Sequence, residues 1–378
     1  MNSKVGNGSA NFSGTSSTTT TVSYRSVPAN ATAPSLPYPG YRGPAALPAW
    51  LQALASVTLV FMITVGIFGN ILILIVNRYI MKRRKTWPTV LLRWLAWTDV
   101  LNCSIGLVIP LVGYFVDVYS VAALCDLNGI VLFGLSVASQ LIVALMSAER
   151  CLSLLKPFAY EAHFGPDSVK MYYILGGIVL YSLIVALLPT FGLNRNVPHY
   201  PYTFCMFDFT DTTPGGRFVV YLNFINLSGC LVIILVANVL IAVYAWRFRQ
   251  VFPTPEEDGE GTDSDGRRGS RRRQVTHDRR LQTRLAKLTL AVATCFTMCW
   301  LLFAVRILTN QLQVWLDDDV DFLAARLMSF NSVINPLLYI AICRPYRRGC
   351  WVILLTAFHY LTCRGARKPD TTLNQSVA

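Results

Sequence analysis

Seven long apolar blocks divide the sequence, and they limit the possible folds more than any other feature. Five blocks contain no charged side chain (residues 51–76, 127–148, 171–193, 218–246 and 288–305), and two contain one ionisable side chain each (residues 94–116 and 322–343). About 20 apolar residues cross a bilayer core of roughly 30 Å, where backbone groups must hydrogen-bond internally. The sequence therefore predicts an all-α membrane protein, a seven-transmembrane-helix bundle within residues 48–343.

The basic residues indicate how these helices are oriented. Lys and Arg give the chain a net charge of +13, and they concentrate in the loops that follow odd-numbered blocks and precede even-numbered ones. The positive-inside rule places these loops in the cytoplasm and the N-terminus outside the cell. The charge is thus a topology signal and a surface for membrane lipids. We expect a multi-pass plasma-membrane protein that does not bind nucleic acid.

The N-terminal segment is polar and is expected to be glycosylated. Residues 1–47 are rich in Ser, Thr, Gly and Pro, which predicts disorder. Sequons begin at Asn7, Asn11 and Asn30, in agreement with an extracellular tail. The segment lacks a basic start followed by an apolar core, so no cleavable signal peptide is expected.

The longest inner loop, residues 250–283, begins acidic and becomes strongly basic. Such charge blocks are usually solvated, so we predict a disordered loop. Ser270 follows Arg267-Arg268-Gly269 and fits a basophilic kinase site. An unmodified serine explains the same pattern.

The C-terminal segment combines arginines with large apolar side chains. Residues 344–363 are therefore predicted to form an amphipathic helix on the inner membrane surface. Cys363 at its end is a candidate for palmitoylation, with a plain thiol as the alternative. Residues 364–378 are expected to be a short cytoplasmic tail.

Eight of the ten cysteines lie in the blocks or on the predicted cytoplasmic side, where thiols stay reduced. Cys125 and Cys205 are the two at the predicted outer face. We predict a disulfide between them that holds the loop at 193–214 to the top of the third helix. Two free thiols are the alternative.

An acid–base pair, Glu149-Arg150, ends the third block. Arg150 follows Cys125 by 25 residues, roughly 37 Å of helix, so the two lie at opposite ends of one helix. Such a pair can hold a closed state and release the arginine to a partner. The alternative is an arginine that extends to the membrane interface.

Amide and carboxyl side chains also lie inside the predicted helices, where they are costly and often functional. Pro336 interrupts the hydrogen bonds of the seventh helix and places Asn335 and Tyr339 for a polar rearrangement. A sodium ion or a water cluster fits among side chains of three helices, namely Asp99, Asn70, Asn335, and Ser329 or Asn331.

Together with Glu149-Arg150, these features resemble the rhodopsin-like (class A) G-protein-coupled receptors, and the resemblance covers all seven helices. It implies a heterotrimeric G protein as partner, with arrestin and receptor kinases as further partners. Residues 322–343 contain no lysine, so no retinal Schiff base can form and the chain is not an opsin. Receptors for amines share an aspartate at the position that corresponds to Leu132 of this chain. The resemblance therefore argues against an ammonium ligand.

Other membrane-protein classes fit less well. A transporter or channel would pair charges at mid-membrane, but Asp99 has no basic partner at its depth, and no internal repeat is evident. The blocks contain no cluster of His, Cys and Asp ligands and no nucleophile–base pair. We therefore expect neither an enzyme nor a bound metal or cofactor.

Arg326 lies near the outer end of the seventh block, where an arginine must face the bundle and find an anion. Four aspartates close in sequence are possible partners, namely Asp317, Asp318, Asp319 and Asp321. The alternative is that Arg326 serves as counter-ion for a carboxylate ligand.

Four segments then resemble the prostanoid receptors. Residues 200–207 resemble the outer loop that caps the ligand in that family, and 149–153 contain its Glu-Arg-Cys variant. The sixth helix, through 298–301, lacks the proline of most rhodopsin-like receptors. Residues 326–331 match the seventh-helix run whose arginine holds the prostanoid carboxylate. One departure is Asn335-Pro336-Leu337, where the family usually has Asp-Pro-Trp.

The resemblance implies roles for individual residues. Arg326 would bind the ligand carboxylate, and Thr203 and Tyr114 would add hydrogen bonds to it. Ser329, one turn below Arg326, would contact the ligand chain. The lid over the pocket would be formed by Phe204 and Phe207.

The expected function is a cell-surface receptor for a prostanoid, with E-type prostaglandins favoured. We expect coupling to a stimulatory G protein and a rise in cyclic AMP. The alternative is a receptor for another lipid carboxylic acid, or an orphan rhodopsin-like receptor. A seven-helix transporter is the distant alternative.

Overall fold

A computed structural model describes residues 48–79, 86–164, 168–251 and 266–362, which are mainly helical. The helices are α1 (Ala49–Tyr79), α2 (Trp87–Leu101), α3 (Val108–Gly113), α4 (Ala122–Leu155), α5 (Pro157–Phe164), α6 (Ser168–Leu187), α7 (Pro214–Val251), α8 (Gly266–Gln311), α9 (Asp318–Ile342) and α10 (Arg344–Thr362). Two strands, β1 (Asn196–His199) and β2 (Phe204–Phe207), form an antiparallel hairpin between α6 and α7.

The long helices form the predicted bundle around α4, which packs against α2, α6 and α7. The ring continues from α7 to α8 and from α8 to α9, and α1 closes it by packing against both α2 and α9. Close packing of α1 on α9 depends on Gly69, since a Cβ added there would lie 2.8 Å from the ring of Pro336. The predicted fold class is therefore confirmed.

The second membrane helix is interrupted. A π-helical segment, Asn102–Gly106, separates α2 from α3. Its last residue, Gly106, uses its carbonyl to accept a hydrogen bond of 3.1 Å from the Asn128 side chain on α4. The sequence predicts one continuous span here, because a π-helical turn leaves the apolar pattern of a buried helix almost unchanged.

Within the described ranges, six spans are long and apolar enough to cross a membrane by themselves: Ala49–Arg78, Trp87–Gly113, Ala122–Leu155, Val169–Leu187, Pro214–Tyr244 and Leu288–Gln311. The seventh helix, α9, reaches this criterion only together with part of α10, which bends sharply away from it. Its mean hydropathy is lower because it carries Arg326 and several amide and hydroxyl side chains.

The loop predicted to be disordered at 250–283 overlaps two helices, and its disorder stays a prediction. Residues 250 and 251 belong to α7, and residues 266–283 form the first part of α8. Arginine, glutamine and leucine, which are frequent in residues 266–283, are good helix formers. The helix can therefore continue past the apolar block. Residues 252–265 lie outside the described residues.

The hairpin lies at one end of the bundle, which we call the disulfide end. Cys125 at the start of α4 is joined to Cys205 of β2, so the predicted disulfide is confirmed. In the hairpin Cys205 stands opposite Pro198. The Glu149-Arg150 pair lies near the other end of α4, which we call the opposite end.

Helix α10 follows α9 at the opposite end and is amphipathic, as predicted. Trp351, Leu354 and Phe358 are exposed on one face, whereas Tyr346 and Cys350 are buried. The predicted glycosylation sites Asn7, Asn11 and Asn30 and the palmitoylation site Cys363 lie outside the described residues. The side chain of Ser270 does too, so these modifications stay predictions.

Candidate ligand-binding site

Arg326 projects from α9 into the disulfide end of the bundle, where it meets aromatic side chains. Its Nη2 donates a hydrogen bond of 2.6 Å to the hydroxyl of Tyr114, the buried residue that ends α3. Its guanidinium lies 4.8 Å from the ring centre of Phe322 and 5.6 Å from that of Tyr114. These contacts stabilise a cation without neutralising it.

The neighbouring aspartates do not pair with Arg326. In the part of the chain that the structure describes, no carboxylate lies within ion-pairing distance of its guanidinium. Asp321 pairs with Arg306 of α8 at 2.6 Å, and Asp317 accepts a hydrogen bond from the backbone of Val320 at the start of α9. The observed geometry thus favours the alternative in which Arg326 serves an external anion.

Arg306 is a site residue that the sequence did not reveal. It is almost fully buried, and besides Asp321 it donates to the side chain of Asn310 and to the carbonyls of Trp315 and Asp317. The apolar block ends at residue 305, so the predicted sixth helix did not include Arg306. Because α8 continues to Gln311, its side chain is inside the bundle, where it joins α8 to α9.

A small cavity lies beside Arg326. It is lined by Leu59, Leu107, Leu132, Phe204, Ser329 and Arg326 itself, among others. Its volume is about 20 Å³, enough for one water molecule and too small for the chain of a lipid acid. Apart from Arg326 and Ser329 the lining is apolar. A lipid ligand would therefore have to widen this cavity.

The predicted lid residues differ in their positions. Phe204 lines the cavity, and the hydroxyl of Thr203 is buried with no hydrogen-bond partner among the residues that the structure describes. Phe207 does not line it, but packs against Phe133 at 4.9 Å and Phe209 at 5.0 Å between ring centres. Strand side chains alternate between faces, so Phe204 and Phe207 point to opposite sides of the hairpin, and the lid role of Phe207 stays a prediction. Ser329 donates to the backbone carbonyl of Ala325.

A second, larger cavity of about 370 Å³ lies between the hairpin and the connection from α8 to α9. Four aspartates line it: Asp208, Asp317, Asp318 and Asp321. Arg195 lines it as well and pairs with Asp208, but the aspartates outnumber this one arginine, so the cavity is not favoured as the site for an acid. At its edge His199 stacks between Phe204 and Phe209, and burial lowers the pKa of the His199 imidazole. The neutral form of His199 is therefore the one that packs in the hairpin.

A polar cluster surrounds Asp99 at the centre of the bundle. Asn335 of α9 donates to Asp99 at 2.8 Å, and Asn70 of α1 donates to the backbone carbonyl of Ser332 at 3.0 Å. Several oxygens here are buried without a partner in the described structure, namely those of Asp99, Asn70, Asn102, Asn331 and Tyr339. Hard cations and buried waters bind such oxygen-lined sites. Ser332 and Asn102 also belong to this cluster, in contact at 3.3 Å, although the sequence did not reveal them.

Glu149 and Arg150 form a two-point ion pair at the opposite end. Two hydrogen bonds of 2.7 and 3.0 Å join the carboxylate to the guanidinium, and both side chains are buried. Tyr160 of α5 donates to the same carboxylate at 2.5 Å. Burial and the charge of Glu149 raise the pKa of the Tyr160 phenol. Because Arg150 is buried and paired with Glu149, the alternative of an arginine that extends to the membrane interface is not favoured.

Comparison with known proteins identifies several relatives. The family model "7 transmembrane receptor (rhodopsin family)" matches residues 69–339. The human prostaglandin E2 receptor EP4 subtype is 24% identical over 307 residues, which cover 73% of this chain and 62% of that protein. The human prostacyclin receptor is 29% identical over 168 residues, covering 43% of this chain and 42% of that protein. These matches thus span less than two thirds of either relative.

Two further similarities are broader. Mouse G-protein coupled receptor 39 is 24% identical over 347 residues, which cover 81% of this chain and 73% of that protein. The crystal structure of squid rhodopsin superposes with a TM-score of 0.68 over 86% of this chain and 90% of that one, at 16% identity. At this identity the superposition supports the fold alone.

Proposed function

Because the chain belongs to the rhodopsin family of seven-transmembrane receptors, we propose that it is a plasma-membrane receptor for a lipid carboxylic acid of the prostanoid type. The similarity to prostaglandin E2 and prostacyclin receptors supports this ligand class. We further propose that the disulfide end faces outside the cell. The basic loops at the opposite end support this orientation.

The observation that carries the proposal is Arg326. A guanidinium inside a membrane protein that has no carboxylate within reach in the described structure favours binding of an anion. Tyr114 already contacts it, and Thr203 has a buried hydroxyl in need of a partner. We assign the ligand carboxylate to these three side chains. The ligand chain would lie near Ser329 and beneath Phe204.

Ligand binding would act by selecting a wider conformation. The cavity of about 20 Å³ is too small for the ligand, so the ligand must bind a conformation with a wider pocket. Because it binds that conformation more tightly than the one described here, it shifts the receptor towards it. Widening separates α9 from α3 and α4, which line the cavity with it. The polar cluster around Asp99 and Asn335 lies along α9 below this point. We propose that it holds a sodium ion or waters that are rearranged during activation, together with Pro336 and Tyr339.

At the opposite end, the partner proposed is a heterotrimeric G protein, with arrestin and receptor kinases as later partners. Opening of the ion pair would release Arg150 from Glu149 to the G protein. By analogy with the E-type relative, the coupling proposed is stimulatory, with a rise in cyclic AMP.

The experiment is a ligand panel on cells that express the chain. Cyclic AMP and calcium are measured after addition of E-type prostaglandins, other prostanoids and unrelated lipid acids, with Arg326→Ala as the matched variant. We expect an E-type prostaglandin to raise cyclic AMP in wild-type cells alone. A response only to another lipid acid would support the alternative ligand class, for which the departure Asn335-Pro336-Leu337 is the motivating feature. A prostaglandin response of equal potency in Arg326→Ala would contradict the carboxylate site.

A further inference from the structure

Asn128 on α4 is a buried junction between three parts of the disulfide end. Its Oδ1 accepts a hydrogen bond of 2.9 Å from the backbone amide of Cys205, and its Nδ2 donates to the carbonyl of Gly106 at 3.1 Å. The hydroxyl of Tyr119 donates to the same Oδ1 at 3.1 Å. One side chain thus joins the hairpin, the π-helical segment and the turn that contains Tyr119.

Tyr119 extends this junction to Thr203. Its hydroxyl lies 2.9 Å from the backbone carbonyl of Thr203 and shares its proton between that carbonyl and Asn128. Thr203 also lies against the end of α3, since a Cβ added to Gly113 would be 3.2 Å from the same carbonyl oxygen. The next residue after Gly113 is Tyr114, the partner of Arg326. The junction therefore fixes the Thr203 backbone beside Tyr114.

The pairing of the hairpin strands does not use the Cys205 amide. Cys205 stands opposite Pro198 at a position where the two strands exchange no backbone hydrogen bonds. The Cys205 amide instead donates to Asn128. An asparagine side chain can accept one of these hydrogen bonds and donate the other. An aspartate of the same length has no donor, and a leucine has neither donor nor acceptor. The position of the lid strand is thus set from α4.

We infer that Tyr119 and Asn128 are positioning residues for the carboxylate end of the ligand. They hold the Thr203 hydroxyl where it meets the anion bound by Arg326, so they determine preference for an acid over an uncharged analogue. The role in ligand preference rests on the proposed function. The placement of residues 203–205 by Tyr119 and Asn128 is independent of it.

The structural part is tested by hydrogen exchange of the purified receptor without ligand. Loss of one buried hydrogen bond raises local opening about tenfold. We expect exchange of the peptide containing Cys205 to accelerate by that order in Tyr119→Phe and Asn128→Ala. The control is Tyr221→Phe, an exposed tyrosine on α7, which should leave it unchanged. Equal exchange in all four proteins overturns the inference.

The ligand part is tested with a prostaglandin acid and the matching analogue in which an alcohol replaces the carboxyl group. We expect Tyr119→Phe to weaken binding of the acid about tenfold and to leave binding of the alcohol within about twofold. In a Thr203→Val background the same change should have no further effect on the acid-to-alcohol ratio, because both variants remove one coupled contact. The inference is overturned if Tyr119→Phe alone leaves the acid-to-alcohol affinity ratio at its wild-type value, including by weakening both ligands equally.

The two levels fail in different ways. If the proposed function is wrong, the wild-type receptor binds neither ligand, while the exchange experiment still decides the role of the junction. If only the inference is wrong, wild-type receptor prefers the acid through Arg326, and Tyr119→Phe keeps that preference.

Discussion

Replacing Arg306 with methionine is expected to destabilise the disulfide end of the bundle strongly. The arginine is about 1% exposed and pairs at 2.6 Å with Asp321, whose side chain is 16% exposed. Methionine has a similar length and fills the space, but it removes the charge. Asp321 would then remain inside the protein without its cation, although Asn310 still donates to it at 2.7 Å.

The size of the effect follows from this burial. Removing one partner of a buried ion pair costs about 3–5 kcal/mol, because the other charge remains desolvated. For a domain of 150–250 residues each kcal/mol lowers Tm by about 2–4 °C, so we expect a decrease on the order of 10 °C. The control is Arg195→Met. Arg195 is 57% exposed and lies 3.4 Å from Asp208, so its loss should cost less than about 1 kcal/mol.

The assay is thermal unfolding of purified receptor in detergent. Arg306→Met, Asp321→Asn and the double variant are compared, since the double variant leaves no unpaired charge. We expect the double variant to be more stable than the sum of the single effects predicts, by about 2 kcal/mol or more. Additive effects, or a Tm for Arg306→Met as high as that of the Arg195→Met control, would refute the reasoning.

Three further predictions test other contacts. Gly69→Ala should destabilise the protein by about 1–3 kcal/mol and lower its Tm, because the added methyl group meets the proline ring of α9. The control is Gly177→Ala, whose methyl group meets nothing within 4 Å and should leave Tm unchanged. Equal Tm values for the two variants would count against this packing. Cys205→Ser removes a disulfide that closes a loop of 80 residues and should lower the free energy of unfolding by about 4 kcal/mol, with a lower Tm and less receptor at the cell surface. A Tm equal to that of the wild type would contradict this prediction. Glu149→Gln should weaken the hold on Arg150 and raise ligand-independent cyclic AMP at matched surface expression; unchanged basal signalling would argue against a closing role.

Much of the fold could be predicted from the sequence, because membrane helices must be long, apolar and internally hydrogen-bonded. The disulfide could also be predicted, because topology left Cys125 and Cys205 on one side. Two features could not. The π-helical segment at Asn102–Gly106 has the apolar pattern of an ordinary helix. The part of α8 that precedes its apolar block is as highly charged as a disordered loop, and charge alone does not distinguish a helix from a disordered chain.

The site could be predicted only in part. Arg326 stood out as an arginine within an apolar block, whereas Tyr114 came from a family resemblance, and the sequence left open whether nearby aspartates neutralise the arginine. That question depends on which helix face each aspartate occupies, and the structure answers it by pairing Asp321 with Arg306. Asn128 carried no signal, because a lone asparagine one turn below a cysteine has many possible roles. Its importance comes from three contacts distant in sequence.

The central claim, that Arg326 holds the carboxylate of the ligand, is tested most directly by equilibrium binding. Affinities of a prostaglandin acid and of its alcohol analogue are measured on wild-type receptor and on Arg326→Gln, which keeps most of the side-chain length. A charge-assisted hydrogen bond contributes about 1.5–3 kcal/mol, so we predict that the variant binds the acid about 10- to 150-fold more weakly. Binding of the alcohol should change less than about threefold. Equal acid affinity in the two proteins would contradict the account.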